Sequence, residues 1–374
     1  MVTRTAHPPI DDLANRLTRA QLATRAVGAS ALLITPGPDL RYLTGYDAVP
    51  LERLTCLVLL ADSDPVMLVP RLELDAAKAS PLGELGMIIA FWDELDNPYT
   101  KVARLLPDSG WVGLDNHMWA EKVLHLREAM PNVQQGLAGV VLQELRMRKS
   151  ADEIDALRRA GAAIDSVHEQ VPAWLRAGRT EREVAQDISE AILAAGHSRV
   201  DFVIVASGPN GASPHHEVSD RVIETGDPVV VDIGGTMPDG YCSDETRTYA
   251  VGSAPAEFIE YYSVLQEAQE AACQQVRPGV SAESVDAAAR SIITDRGYGA
   301  LFIHRTGHGI GLETHEDPYI VAGNDELLEP GMAFSVEPGI YQSGHHGARI
   351  EDIVVCTESG FERLNNRPRD LIIT

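Results

Sequence analysis

The sequence predicts an α/β domain over residues 1–139 and a larger α+β domain over residues 140–374. Three observations lead there. At 374 residues the chain has the length of two or three domains. Through the first part, short apolar runs alternate with amphipathic stretches, the pattern of strands and helices laid down in turn. In the second part a pair of helices followed by a hairpin occurs twice, a structural duplication without a visible sequence repeat.

Each element has its own local signal. Residues 11–27 carry apolar side chains at helical spacing. Residues 31–34 read as a strand, closed by Thr35-Pro36-Gly37-Pro38. Residues 54–60 and 66–69 flank Asp62-Ser63-Asp64-Pro65 as a hairpin. Strands follow at 87–91 and 111–114, and helices at 99–106 and 118–130. A helix over 140–148 links the domains. A long helix is expected over 151–175, with Asp152 and Glu153 in the first turn, where the helix dipole favours acids. Thr180 to Glu183 is a capping box that opens the next helix. Residues 229–233 form a short buried strand that Gly234-Gly235 should stop. Turn signals fill 234–240, and 241–251 alternates, so the two runs make a hairpin. Long helices over 256–276 and 282–296 come next. Residues 333–337 and 348–355 make a second hairpin around a loop of glycines and histidines.

Five residues of the second domain stand in unusual contexts. Asp232 ends Val229-Val230-Val231, and Asp244 lies in Ser243-Asp244-Glu245-Thr246. His308 is flanked by Gly307 and Gly309. Glu337 precedes Pro338-Gly339, and Glu351 follows Arg349-Ile350. The first hairpin brings Asp232 and Asp244 together, the second brings Glu337 and Glu351 together, and His308 falls between them in sequence. Four carboxylates and an imidazole are an oxygen-rich, mostly hard ligand set. Two divalent cations would cancel their charge, and without cations their burial would be costly. Singly, each has an ordinary alternative: a turn-forming Asp, a surface Glu, a satisfied core His.

In this order the five contexts resemble those of the pita-bread metallopeptidases, which include methionine aminopeptidase, aminopeptidase P and prolidase. The segments Ala206-Ser207-Gly208-Pro209-Asn210-Gly211-Ala212-Ser213-Pro214-His215, His304-Arg305-Thr306-Gly307-His308 and His315-Glu316-Asp317-Pro318 are similar to the prolidase (Xaa-Pro dipeptidase) and aminopeptidase P branch. The similarity runs from about residue 145 to the C-terminus. The part before it resembles the N-terminal domain of creatinase and prolidase. All five ligand positions carry the family's residue types, unlike creatinase, which shares the fold without the metal set.

The resemblance implies a pita-bread catalytic domain with a pseudo-two-fold duplication of helix pair and sheet. It implies two divalent metal ions per chain, Mn²⁺ foremost, with Co²⁺ or Zn²⁺ as alternatives. Asp244 and Glu351 would bridge them, Asp232 would complete one ion, and His308 and Glu337 the other. A water between such ions loses its proton far more readily than bulk water and becomes the nucleophile. His215, His315 and Glu337 are the implied catalytic residues, with Glu337 as acid/base. His215, His315, Arg349 and Tyr241 are the implied substrate contacts, Arg349 either binding substrate or bracing the site. His216, His345 and His346 read as exposed loop residues. The implied reaction is hydrolysis of the Xaa-Pro bond, on dipeptides ahead of the longer peptides of aminopeptidase P, by a homodimer. Methionine aminopeptidase lacks the extra N-terminal domain. A non-catalytic pita-bread module that binds proteins would have no reason to keep all five ligands.

Composition sets the remaining expectations. A net charge of −24 disfavours nucleic acid and anionic membranes, which reward basic surfaces. No apolar stretch approaches the length of a membrane span. Residues 1–12 are polar and lack the apolar core of a signal peptide, so a cytoplasmic protein is expected. Cys56, Cys242, Cys273 and Cys356 are far apart and suit free thiols in a reducing compartment.

Overall fold

The computed structural model describes residues 7–374, so half of the N-terminal segment considered above lies outside the described residues. The chain divides into two compact units, Met1–Arg146 and Met147–Thr374.

The first unit is built on one sheet of six strands: β1 (Ala31–Ile34), β2 (Cys56–Leu60), β3 (Val66–Pro70), β4 (Ile88–Trp92), β5 (Gly110–Leu114) and β6 (Val133–Leu137). Their order is β4-β3-β2-β1-β5-β6. β2 runs antiparallel to both β1 and β3, and the other pairings are parallel. Helices α1 (Ile10–Ala26), α2 (Pro38–Thr44), α3 (Leu74–Ala79), α4 (Pro81–Glu84), α5 (Pro98–Ala103) and α6 (Ala120–Ala129) accompany it. Leu33, Val58, Leu68, Val112 and Leu126 share one buried core. Four elements, α2, α3, α4 and β6, escape a sequence reading. β6 reads Val-Gln-Gln-Gly-Leu, and its polar residues suit an edge strand paired on one side only. In α2, Pro38 opens a helix instead of closing a turn, since the first helical position needs no N–H.

After α7 (Gly139–Met147), the second unit contributes α8 (Ala151–His168), α9 (Val171–Trp174), α10 (Glu181–Ala194), α11 (Ala256–Gln275) and α12 (Ala282–Asp295). The helix expected over 151–175 is broken between α8 and α9. Pro172, in the first turn of α9, has no N–H to continue an α-helical ladder. Ser150–Glu153 and Thr180–Glu183 both form complete capping boxes, each cap contributing about 1 kcal/mol.

The strands are β7 (Arg199–Ser207), β8 (Pro228–Thr236), β9 (Cys242–Ala250), β10 (Gly307–Gly309), β11 (Glu316–Ile320), β12 (Ala333–Val336), β13 (Gly339–Gln342), β14 (His346–Arg349), β15 (Asp352–Thr357), β16 (Gly360–Arg363) and β17 (Ile372–Ile373). They form sheets of order β17-β9-β8-β7 and β11-β10-β12-β15-β16, with β13-β14 as a separate pair. α8 and α10 share a core with the first sheet through Ile164, Ile188 and Val231. α11 and α12 share one with the second through Leu265, Val285 and Phe334. A helix pair on a sheet therefore occurs twice, in a pita-bread arrangement.

One strand overruns its expected end. β8 continues through Gly234 and Gly235 to Thr236. A Cβ on Gly234 would lie 2.5 Å from the Phe202 ring, and one on Gly235 would lie 2.7 Å from the Arg199 carbonyl. These glycines permit close strand approach and do not make the turn. All four cysteines are free and buried. Among the described residues, no helix is long and apolar enough to cross a membrane.

Candidate metal centre

Both hairpins form, and each places two carboxylates side by side. On β8 and β9, Asp232 pairs with Thr246 and Gly234 with Asp244, so Asp232 and Asp244 lie diagonally on one face of the ladder. The second hairpin is interrupted. Ala333–Val336 pairs with Asp352–Val355, and Gly339–Gln342 with His346–Arg349, in one continuous register. Glu337 and Glu351 therefore stand opposite each other at the break. Pro338, which lacks an N–H, sits beside it. The freed backbone groups turn elsewhere: Glu337 N donates to Thr306 O (2.7 Å) and Glu351 N donates to Thr246 O (3.1 Å). The second of these bonds ties the two hairpins together.

His308 reaches the cluster from β10, squeezed between β11 and β12. A Cβ on Gly307 would lie 1.8 Å from Ser335 O, and one on Gly309 2.2 Å from Asp317 O, so only glycines let this short strand fit. His308 Nδ1 lies 3.0 Å from Gly309 O, which commits that nitrogen as a donor. Nε2 faces Glu337 Oε1 at 3.2 Å and Asp244 Oδ2 at 3.7 Å. Donor atoms of Asp244, His308 and Glu351 all lie within 4.8 Å of one another.

The electrostatics are those of a site built for cations. Asp244 and Glu351 are pushed well above the usual carboxylate range, by burial first and then by neighbouring carboxylates. Burial also opposes ionisation of Glu337, but the hydrogen bond and charge of His308, with His304 and Arg349, outweigh it and hold the carboxyl at about 2. Asp232 Oδ1 and Glu351 Oε1 are buried with no hydrogen-bond partner. Orphaned carboxylate oxygens beside an imidazole nitrogen that faces the carboxylates fit divalent metal.

Arg349 is 2% exposed and its donors are committed. It pairs with Asp232, and donates to Tyr341 Oη (2.8 Å), Thr246 Oγ1 (3.1 Å) and Pro214 O (3.3 Å). Of its two expected roles, this geometry is that of a brace. Tyr341 in turn donates to His304 Nε2 (2.9 Å), while His304 Nδ1 donates to Arg305 O (2.7 Å).

A cavity of about 650 Å³ opens over the cluster. His215 and His315 line it, as do all five expected ligands and Arg349. The His315 ring sits 4.0 Å from that of His308, and burial first, then the His308 charge, push its pKa down to about 4. It is therefore neutral at pH 7 and keeps one N–H to donate. Tyr241 lies elsewhere. It is 4% exposed, donates to Glu153 Oε1 (2.8 Å) on α8, and packs in the apolar cluster with Leu157 and Ile353. It forms no part of the cavity wall, because its position just before β9 turns it toward the α8 start. Cys242 is likewise core, its thiol pushed up to about 11 by burial.

The structure adds wall residues that a sequence reading missed. The Arg305 guanidinium stacks 4.3 Å over the Tyr319 ring and, among the described residues, meets no carboxylate at ion-pair distance. It stood in the quoted His304–His308 motif, but nothing local revealed β10 or its facing. Asp201 is the extra residue where the register of β7 on β8 slips between Val200 and Phe202, and it joins Phe202 and Ile204 on the wall. His216 and His346 correct an expectation. His216 bonds the buried Glu181, and His346 is 6% exposed beneath Tyr261; only His345 is exposed.

Comparison with known proteins agrees with this architecture. Residues 155–358 match metallopeptidase family M24, and residues 16–148 match the creatinase/prolidase N-terminal domain. The chain is 54% identical over 361 residues to a probable dipeptidase PepE of Mycobacterium tuberculosis, covering 96% of each. It is 39% identical to an Xaa-Pro dipeptidase of Lactobacillus helveticus, covering 89% of this chain and 91% of that protein. The crystal structure of dipeptidase PepE from Mycobacterium ulcerans superposes with a TM-score of 0.96 at 53% identity, over 98% of this chain and 99% of that one. With its paired-carboxylate hairpins, glycine-flanked histidine and creatinase-type first domain, this chain belongs to metallopeptidase family M24.

Proposed function

We propose that the chain is a metal-dependent Xaa-Pro peptidase that acts on dipeptides. The observation that carries this is the buried cluster of unpartnered carboxylate oxygens under a cavity walled by neutral histidine and an uncommitted guanidinium. The names of its relatives, dipeptidase and Xaa-Pro dipeptidase, support the same reading.

Asp232, Asp244, His308, Glu337 and Glu351 would hold two divalent ions. Mn²⁺ suits the oxygen-rich set best, ahead of Co²⁺ or Zn²⁺. When bound, such ions acidify water and polarise a carbonyl. The chain's own groups do the rest. Glu337 is held ionised, so it begins as a proton acceptor and can pass the proton to the leaving nitrogen. That nitrogen belongs to a tertiary amide in Xaa-Pro and must gain a proton to leave. His315 donates its N–H to the developing oxyanion, and His215 contacts the substrate. Arg349 keeps Asp232 in place. Arg305, with donors free, is the group we assign to the carboxylate of a dipeptide. A −24 chain gains most from such a cation when it must orient an anionic substrate end. We extend the proposal to a cytoplasmic homodimer that binds neither nucleic acid nor membrane, in keeping with that charge.

Hydrolysis of Ala-Pro beside Ala-Pro-amide and Ala-Pro-Ala, with Mn²⁺ added, tests the assignment. Ala-Pro should be cut fastest, and Arg305→Ala should close the gap by losing rate on Ala-Pro alone. Equal rates on all three would make aminopeptidase P the better description.

A further inference from the structure

The residues that follow His215 and His315 are each tied to a buried charged side chain. His216 follows His215, and its Nε2 lies 2.8 Å from Glu181 Oε2. Glu316 follows His315, and its Oε1 accepts from Lys149 Nζ at 2.6 Å. Glu181 is 0% exposed, and the Lys149 and Glu316 side chains are 1% and 7% exposed. Neither Glu181 nor Lys149 forms part of the cavity wall.

Glu181, the first residue of α10, gathers a whole loop. Oε1 accepts from Ser207 N, Ser207 Oγ and Asn210 Nδ2 at 2.7–3.0 Å. Oε2 accepts from Ser219 N (3.1 Å) and Ser219 Oγ (2.6 Å) as well as from His216. These donors come from both ends of the 207–219 segment, so one carboxylate closes the loop that carries His215. On the other side of His215, Pro214 O is held by Arg349 Nη1, from the guanidinium that braces Asp232. Lys149 works from the residue before the α8 cap, where its own N–H bonds Gly331 O (2.9 Å). Its partner Glu316 packs on the backbone of the His315 turn: a Cβ on Gly311 would lie 2.5 Å from Glu316 Oε1. Buried ion pairs are poor stabilisers next to apolar groups of equal volume, and fixing a geometry is the use that remains.

We propose that Glu181 and Lys149 are positioning residues that set His215 and His315 in place through the next residue along, Glu181 for His215 and Lys149 for His315. This rests on the peptidase reading of those histidines.

A double-mutant cycle on the full chain loaded with Mn²⁺ tests it. Glu181→Gln, and the charge-neutral pair Lys149→Met with Glu316→Gln, are made alone and in His215→Ala and His315→Ala backgrounds. kcat and KM for Ala-Pro, metal content and melting temperature are measured for each. Alone, each perturbation should lower kcat/KM about ten- to a hundredfold with metal retained, the cost of a misplaced group. Glu181→Gln should cost nothing further in His215→Ala, nor the Lys149/Glu316 pair in His315→Ala, while the crossed combinations multiply. His216→Gln, which leaves the other donors of Glu181 intact, should show the same dependence on His215 should Glu181→Gln fail to fold. Equal fold-losses in every background, loss of metal, or unchanged kcat/KM would overturn the positioning role. If His215→Ala and His315→Ala alone leave turnover unchanged, the peptidase reading of those residues falls and the proposal falls with it.

Discussion

Asp244→Asn exchanges a carboxylate for an amide of the same shape at the centre of the cluster. Asp244 is 3% exposed, and Glu351, Asp232 and Glu337 all act on its charge. Without metal, burial and three neighbouring carboxylates oppose ionisation of Asp244, and the amide removes that opposition. The variant should therefore melt no lower than wild type in excess chelator. With metal the order reverses. A ligand at a hundredfold excess over its dissociation constant stabilises by about 2.7 kcal/mol. In a unit of this size each kcal/mol moves the melting temperature by about 2–4 °C, so metal should raise the wild-type midpoint by roughly 5–11 °C. An amide can coordinate but carries no charge to offset two cations, and the variant's shift should fall below about 2 °C. Scanning calorimetry in chelator and in Mn²⁺, with metal content by mass spectrometry, reads both halves. A variant that keeps two metals per chain and the full shift would refute the ligand assignment. One that melts far below wild type in chelator would refute the reasoning about charge.

Two further outcomes follow from the same geometry. His315→Ala should keep its metal and lose turnover about a hundred- to a thousandfold, the usual cost of one oxyanion donor; metal loss in that variant would show His315 to be a ligand. A pH effect belongs to His168, which is fully buried with Nε2 on Glu245 O (3.1 Å) and Nδ1 on Tyr249 Oη (2.9 Å). Burial first, and the Arg247 charge second, push its pKa down to about 3. The folded chain keeps this imidazole neutral while the unfolded chain binds a proton below about pH 6.5. Its contribution to stability is therefore whole above about pH 6.5 and is lost as pH falls toward 3, at up to about 1.4 kcal/mol per pH unit. Urea midpoints at about pH 7.5 and about pH 5 should diverge more for wild type than for His168→Gln, and equal slopes would contradict the assignment.

Much of this was legible in the sequence because the signals are local. Thr180 announced its capping box, Asp152 and Glu153 announced the start of α8, and the β-branched run ending at Asp232 announced a buried strand. The paired carboxylates followed from hairpins whose turns are rich in glycine. What stayed hidden depends on contacts distant in sequence. Gly234 and Gly235 looked like a stop, yet they make room for the Phe202 ring and the Arg199 carbonyl of a neighbouring strand. Tyr241 stands three residues before Asp244, but the α8 start claims its hydroxyl through Glu153. Arg305 faces the cavity only because β10 inserts between β11 and β12. His216 read as surface because its partner Glu181 lies far back in the chain, at the start of α10.

The central claim is that these residues make a metal-dependent site shaped for proline after the scissile bond. A site built around a tertiary amide has no partner for the N–H that an ordinary dipeptide would bring, and such unpaired polar groups are strongly selected against. The direct measurement is kcat/KM for Ala-Pro beside Ala-Ala on the Mn²⁺-loaded chain. Ala-Pro should be favoured by at least about tenfold, a difference of about 1.4 kcal/mol in barrier. Ala-Ala cut as fast as Ala-Pro would contradict the proline pocket and leave only a metal-dependent peptidase.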